Sequence, residues 1–186
     1  MFAFRKGQIL KEFLLTLCAA VLHVCGHLLA AGLLGIPVRG IRYDSTGPRI
    51  HMGRLLTYRE EGLVAFAGPL CNLVFGGLLL TVSARESAQF LAVTSLFLGI
   101  LNLLPLKNTD GYRILSVALH RLPLAVSTRI CEVCSLLTVG VFWFFAIFLL
   151  LKTGSAILLF VFSGIMFLDT VSEKGKCEHS GDFLRK

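Results

Sequence analysis

Charge is scarce in this sequence. Only 16% of its 186 residues are Asp, Glu, Lys or Arg, against about 25% in an ordinary soluble domain. Five stretches lack them altogether (13–36, 62–84, 87–106, 133–151 and 153–168), and together these make up more than half of the chain. Such gaps exclude a soluble globular enzyme and a disordered chain. A disulfide framework is excluded too. Of the six cysteines, Cys18, Cys25 and Cys71 fall inside the apolar stretches, where thiols behave as small hydrophobes. No internal repeat and no low-complexity tract is present. What fills the sequence instead is apolar, with 55% hydrophobic residues and a mean hydropathy of +0.79. A helix needs about 20 apolar residues to cross the hydrocarbon core. The expectation is an all-α polytopic membrane protein with about five transmembrane helices, one membrane domain over 1–186.

Basic residues outnumber acidic ones, 18 to 11, and their placement matters more than their number. Lys and Arg on alternate connections number 13 against 5. The positive-inside rule then places the N-terminus outside and a polar tail, 169–186, in the cytoplasm. The basic excess is thus a topology signal directed at the lipid bilayer, and nucleic acid is not expected as a partner. The first apolar run, too long for a signal-peptide core and holding two histidines, reads as a retained span.

The connection 37–61 contains alternating Val38, Ile41, Tyr43, Ile50 and Met52 around Ser45-Thr46-Gly47-Pro48. Alternation about a turn predicts an amphipathic β-hairpin. Pro69 lies inside the second apolar stretch, where it removes a backbone hydrogen bond. A short amphipathic helix is expected from Ile114 to Val126, and Lys152-Thr153-Gly154 is expected to turn the chain between the last two spans.

Two features carry chemistry. His23 and His27 stand four apart in one apolar helix, which puts both imidazoles on one face. The pair alone is open to two readings, metal ligation or hydrogen bonding to a neighbouring helix. Asp110 begins the connection after the third stretch, on the side where the C-terminal half of the first helix ends. Two imidazoles and a carboxylate make three ligands with an open fourth position, the pattern of a catalytic zinc site. The lone Cys131-Glu-Val-Cys134 pair is weak evidence for metal or redox work. Phe142-Trp143-Phe144-Phe145 reads as lipid-facing or packing mass.

At these residues the chain resembles the site-2 protease family of intramembrane zinc metalloproteases, peptidase family M50. Members carry His-Glu-x-x-His in the first core helix, matched here by His23-Val24-Cys25-Gly26-His27. A Gly-Pro-x-x-Asn element follows as Gly68-Pro69-Leu70-Cys71-Asn72. Asn-x-x-Pro and Asp-Gly close the pattern as Asn102-Leu-Leu-Pro105 and Asp110-Gly111, with Arg113 also matching. The resemblance spans 10–125 and implies a three-helix metalloprotease core. The two accessory transmembrane helices over 126–168 lie outside it. It also implies zinc held by His23, His27 and Asp110, and a single-pass or otherwise membrane-embedded protein as substrate. Asn72 then either binds unwound substrate or the developing oxyanion, or satisfies the carbonyl freed by Pro69. Asn102 is expected to anchor the end of its own helix.

One position departs from the pattern decisively. The family's general-base glutamate is Val24, which neither accepts nor delivers a proton. Losing a positioned base costs about 10²–10⁴-fold in rate. Glu12 lies about three turns toward the other membrane face. Glu60 and Glu61 reach the site only if the connection folds back. Asn108, Thr109 and Tyr112 also depart from the residues common around the aspartate, which suggests a loosened or repurposed site. Two functions therefore stand: an impaired intramembrane protease scaffold, and a pseudoprotease that binds or sequesters membrane proteins or regulates an active relative. A metal transporter would need polar residues in the last two spans, which are almost wholly apolar.

Overall fold

The computed structural model describes residues 2–44, 47–153 and 164. In chain order these form helix α1 (Phe2–Leu33), strands β1 (Val38–Asp44) and β2 (Gly47–Met52), and helices α2 (Tyr58–Val82), α3 (Glu86–Leu103), α4 (Asp110–Ala118) and α5 (Leu124–Thr153). Four of the helices, α1, α2, α3 and α5, are long and apolar enough to cross a membrane. The fifth expected span, 153–168, and the tail, with Cys177 and His179, lie outside the described residues apart from Thr153 and Gly164. The chain is a multi-pass membrane protein.

The helices begin and end where caps allow, not where charge stops. α2 starts four residues before its apolar stretch because Thr57 caps it. The Thr57 side chain accepts from the Glu60 amide and the Glu60 side chain accepts from the Thr57 amide, the reciprocal pair of a capping box. Glu60 and Glu61 therefore belong to the first helical turn rather than to the connection. Arg54 holds the Glu60 carboxylate with two hydrogen bonds of 2.9 and 2.6 Å. α4 is shorter than expected and begins at Asp110 itself. The turn after it leads to Pro123, whose carbonyl accepts from Val126 and Ser127. α5 starts there, nine residues before the charge-free run, and carries Arg129 and Glu132 in its early turns.

β1 and β2 form the expected hairpin, an antiparallel pair with Ile41 opposite Ile50 and Val38 opposite Met52, interrupted by an irregularity between Val38 and Gly40. Its base is sealed onto the bundle by a buried cluster of Ala31, Ile36 and Val64, against which Met52 and Leu56 pack.

α2 is the central helix, packed on α1, α3 and α4, while α5 touches mainly α4. Close approach is made possible by small residues. A Cβ on Gly26 would meet the Ala67 carbonyl at 2.7 Å, and one on Gly76 would meet the Ala92 carbonyl at 2.8 Å. Backbones this near gain dispersion contacts that lipid cannot supply. Large apolar side chains instead face outward, such as Leu29 at 67% and Phe144 at 75% exposed, as expected of lipid-facing surface.

Candidate metal centre

Two elements bring the candidate ligands together. α1 presents His23 and His27 one turn apart on one face, and the start of α4 brings Asp110 against them. His23 Nε2 lies 3.0 Å from Asp110 Oδ2, His27 Nε2 lies 3.1 Å from the same oxygen, and the two Nε2 atoms are 3.1 Å apart. Their side chains are only 12%, 10% and 11% exposed. Among the described residues this is the group of His, Cys, Asp and Glu side chains placed to hold a metal ion.

Neighbouring backbone fixes the tautomer and the position of His27. Its Nδ1 sits 2.7 Å from the Val64 carbonyl. A carbonyl only accepts, so Nδ1 carries the proton and, in the neutral ring, Nε2 keeps its lone pair. That lone pair points at a second imidazole nitrogen and a carboxylate oxygen. Three electron-rich atoms this close need shared protons or a cation between them. Tetrahedral zinc at about 2.0–2.1 Å from each ligand separates ligand atoms by about 3.3 Å, so a small outward relaxation accommodates the ion. The donor set and its spacing fit zinc.

Gly68 supplies the space for this arrangement. A Cβ there would run into the His27 ring, meeting Cδ2 at 2.8 Å and Nε2 and Cε1 still closer. Gly111 does the same for Asp110, since a side chain at 111 would collide with the Leu103 and Leu104 carbonyls. The residues that depart from the expected pattern before Asp110 tie the turn rather than loosen it. Asn108 adopts a left-handed φ of 71°, which asparagine tolerates. The Thr109 hydroxyl lies 2.7 Å from both the Leu104 and the Leu106 carbonyls, and the Lys107 amide donates to Ser135 Oγ at 3.0 Å. Burial alone would raise the Asp110 pKa, but an imidazole of His23 or His27 that carries a proton on Nε2 as well donates to the carboxylate, and that donation lowers it to about 2.

The remaining candidates fall where their surroundings dictate. Val24 is half-buried beside the site. Glu60 is engaged by Arg54 and Thr57, and Glu61 faces Arg113 of α4 at 3.7 Å. Glu12 accepts from Gln8, far up α1. Asn102 donates to the Leu98 carbonyl at 2.9 Å and anchors its own helix. Asn72 is wholly buried, and neither of its amide atoms has a partner among the described residues. It therefore does not satisfy the carbonyl freed by Pro69. Cys131 is buried and Cys134 half-buried on α5.

The sequence reading missed two contributors. The Val64 carbonyl has no side-chain signal at all. Ser135 is a small polar residue inside an apolar run, a visible cue once its burial is known.

No family model matches this chain, and no curated protein matches it. A solved structure does: the site-2 protease from Methanocaldococcus jannaschii, at 25% sequence identity and a TM-score of 0.59, covering 88% of this chain and 77% of that one. The chain has the fold of an intramembrane protease of that type.

Proposed function

We propose that the chain belongs to the site-2 protease family and binds zinc through His23, His27 and Asp110. It acts within the membrane on a single-pass or membrane-embedded protein, with its N-terminus outside and its C-terminus cytoplasmic. The observation that carries this reading is the triangle of Nε2, Nε2 and Oδ2 atoms at 3.0–3.1 Å, inside a bundle of membrane-spanning helices. Zinc bound there would polarise a peptide carbonyl and acidify a water. The chain's own part is to hold the ligands: Val64 orients His27, Gly68 leaves room for its ring, and the Thr109 turn presents Asp110.

Hydrolysis is impaired in this reading. Val24 offers no proton acceptor, and the nearby carboxylates are committed, Glu60 to Arg54 and Glu61 to Arg113. The same observation favours a second reading, a pseudoprotease that captures membrane proteins or regulates an active relative without turnover.

Reconstitution in vesicles with a model single-span substrate tests both. Val24→Glu should gain cleavage about 10²–10⁴-fold over the native chain, while the native chain retains the substrate through purification. Equal cleavage by the two forms would show that another group serves as base. Cleavage and capture by neither would remove the protease-derived reading.

A further inference from the structure

The charge-free run 133–151 of α5 carries two hydroxyl groups, on Ser135 and Thr138. A hydroxyl in hydrocarbon needs a partner, and a helix offers its own carbonyl one turn back. Thr138 takes that course and donates to the Cys134 carbonyl at 2.8 Å. Thr128, nearer the start of the helix, does the same with the Leu124 carbonyl at 2.9 Å. Ser135 is different. It is buried, at 1% exposure, and its Oγ accepts from the Lys107 amide at 3.0 Å. That bond leaves α5 for the turn that presents Asp110.

Bonds inside the turn set its shape. The Leu106 amide donates to the Leu104 carbonyl at 2.7 Å, the Thr109 amide donates to the Leu106 carbonyl at 3.1 Å, and the Thr109 hydroxyl reaches both carbonyls. Internal bonds do not fix where the turn stands in the bundle. Placement comes from neighbouring elements: α2 packed on α4, and α5 through Ser135. Lys107 precedes Asp110 by three residues, with the left-handed Asn108 between them. A turn tied this tightly passes a shift at Lys107 on to Asp110, whose Oδ2 stands 3.0 and 3.1 Å from the two imidazole nitrogens. Metal–ligand distances tolerate only about 0.2 Å, so a displacement too small to disturb the fold is enough to spoil the ligand geometry.

We infer that Ser135 is a positioning residue for Asp110, so that α5 holds one ligand of the metal site in place although it supplies none. The motifs of the site all lie within 10–125, and α5 begins only at its end. The accessory helix is thus part of the metal centre's construction, and anything that shifts α5 at Ser135 changes metal affinity through Lys107 and the turn. The inference rests on the zinc reading above for its effect on metal, but not for its effect on where Asp110 stands.

The test uses the full chain in detergent micelles with ¹⁵N-labelled histidine and lysine, as native protein and as Ser135→Ala. Two controls accompany it. Cys131→Ala trims a buried side chain one turn earlier on α5, and Thr138→Val removes a hydroxyl that serves only its own helix in this structure. Three quantities are read: the Zn²⁺ dissociation constant by chelator competition, and, in metal-free protein, the Nε2 nitrogen shifts of His23 and His27 and the exchange rate of the Lys107 amide proton. Ser135→Ala should weaken zinc binding about 10-fold, the lower end for loss of an outer partner. It should also speed Lys107 exchange by about 10-fold and move both histidine signals, because the carboxylate beside them is displaced. Both controls should match native protein in the histidine signals and in zinc affinity. Native zinc affinity, unmoved histidine signals or an unchanged Lys107 exchange rate in Ser135→Ala would each overturn the inference. Equal effects in either control would overturn it too, since the cause would then be the packing of α5 in general. If the native chain binds no zinc, the metal reading fails. The histidine signals and the exchange rate then decide the inference by themselves: movement of both in Ser135→Ala alone sustains it, and no movement overturns it.

Discussion

Replacing Gly68 by alanine tests the site's construction without touching a ligand. The added Cβ would sit 2.8 Å from His27 Cδ2 and nearer still to Nε2, whereas carbon atoms settle at about 3.5–4.0 Å. The ring must therefore retreat by about 0.7 Å or more. It is not free to do so, because its Nδ1 is held at 2.7 Å by the Val64 carbonyl, and that carbonyl belongs to the same helix as Gly68. Metal–ligand distances tolerate about 0.2 Å, so the retreat exceeds the tolerance several-fold. Zinc affinity should fall at least about 100-fold, the upper end of what loss of an outer-shell partner costs. Overpacking should also cost about 1–3 kcal/mol of stability. Chelator competition measures the first quantity, and circular dichroism in detergent confirms that helix is retained. Gly77→Ala is the control, since a Cβ there meets nothing within 4 Å. Native zinc affinity in Gly68→Ala would refute the argument that this glycine exists to seat His27.

Other consequences follow from the same geometry. Gly111→Ala should abolish metal binding by driving Asp110 away from the histidines, read as zinc content after gel filtration, because its Cβ would meet two backbone carbonyls that cannot yield as a flexible side chain would. Thr57→Ala should destabilise the start of α2 by about 1 kcal/mol through loss of the capping box, measured by thermal unfolding in detergent, while leaving zinc affinity within about twofold of native.

The site was readable in the sequence to the extent that it depends on chain-local spacing. His23 and His27 share a face because helices repeat every 3.6 residues, and α1 places them together as that spacing demands. Asp110 joined them only through an argument about which side of the membrane each segment faces, and the structure brings it within 3.1 Å of both. The hairpin was legible from alternation about Ser45-Thr46-Gly47-Pro48. Helix limits were not, because absence of charge marks the apolar centre of a span and not its ends. Thr57-Tyr-Arg-Glu60 is a capping signature that the sequence displays, and it sets the start of α2 ahead of the charge-free run. Gly68 was read as part of a motif, but its reason, the His27 ring beside it, is a contact between helices that no spacing reveals. The same holds for Ser135, whose role depends on which segment lies opposite.

The central claim is that His23, His27 and Asp110 form one metal site. Its most direct test is the zinc content of the purified full chain, by mass spectrometry of the metal, for the native protein and for His27→Ala and Asp110→Ala. The account predicts about one zinc per native chain and none in either variant. A native chain free of zinc after expression in zinc-replete medium would contradict it, as would variants that retain the native content.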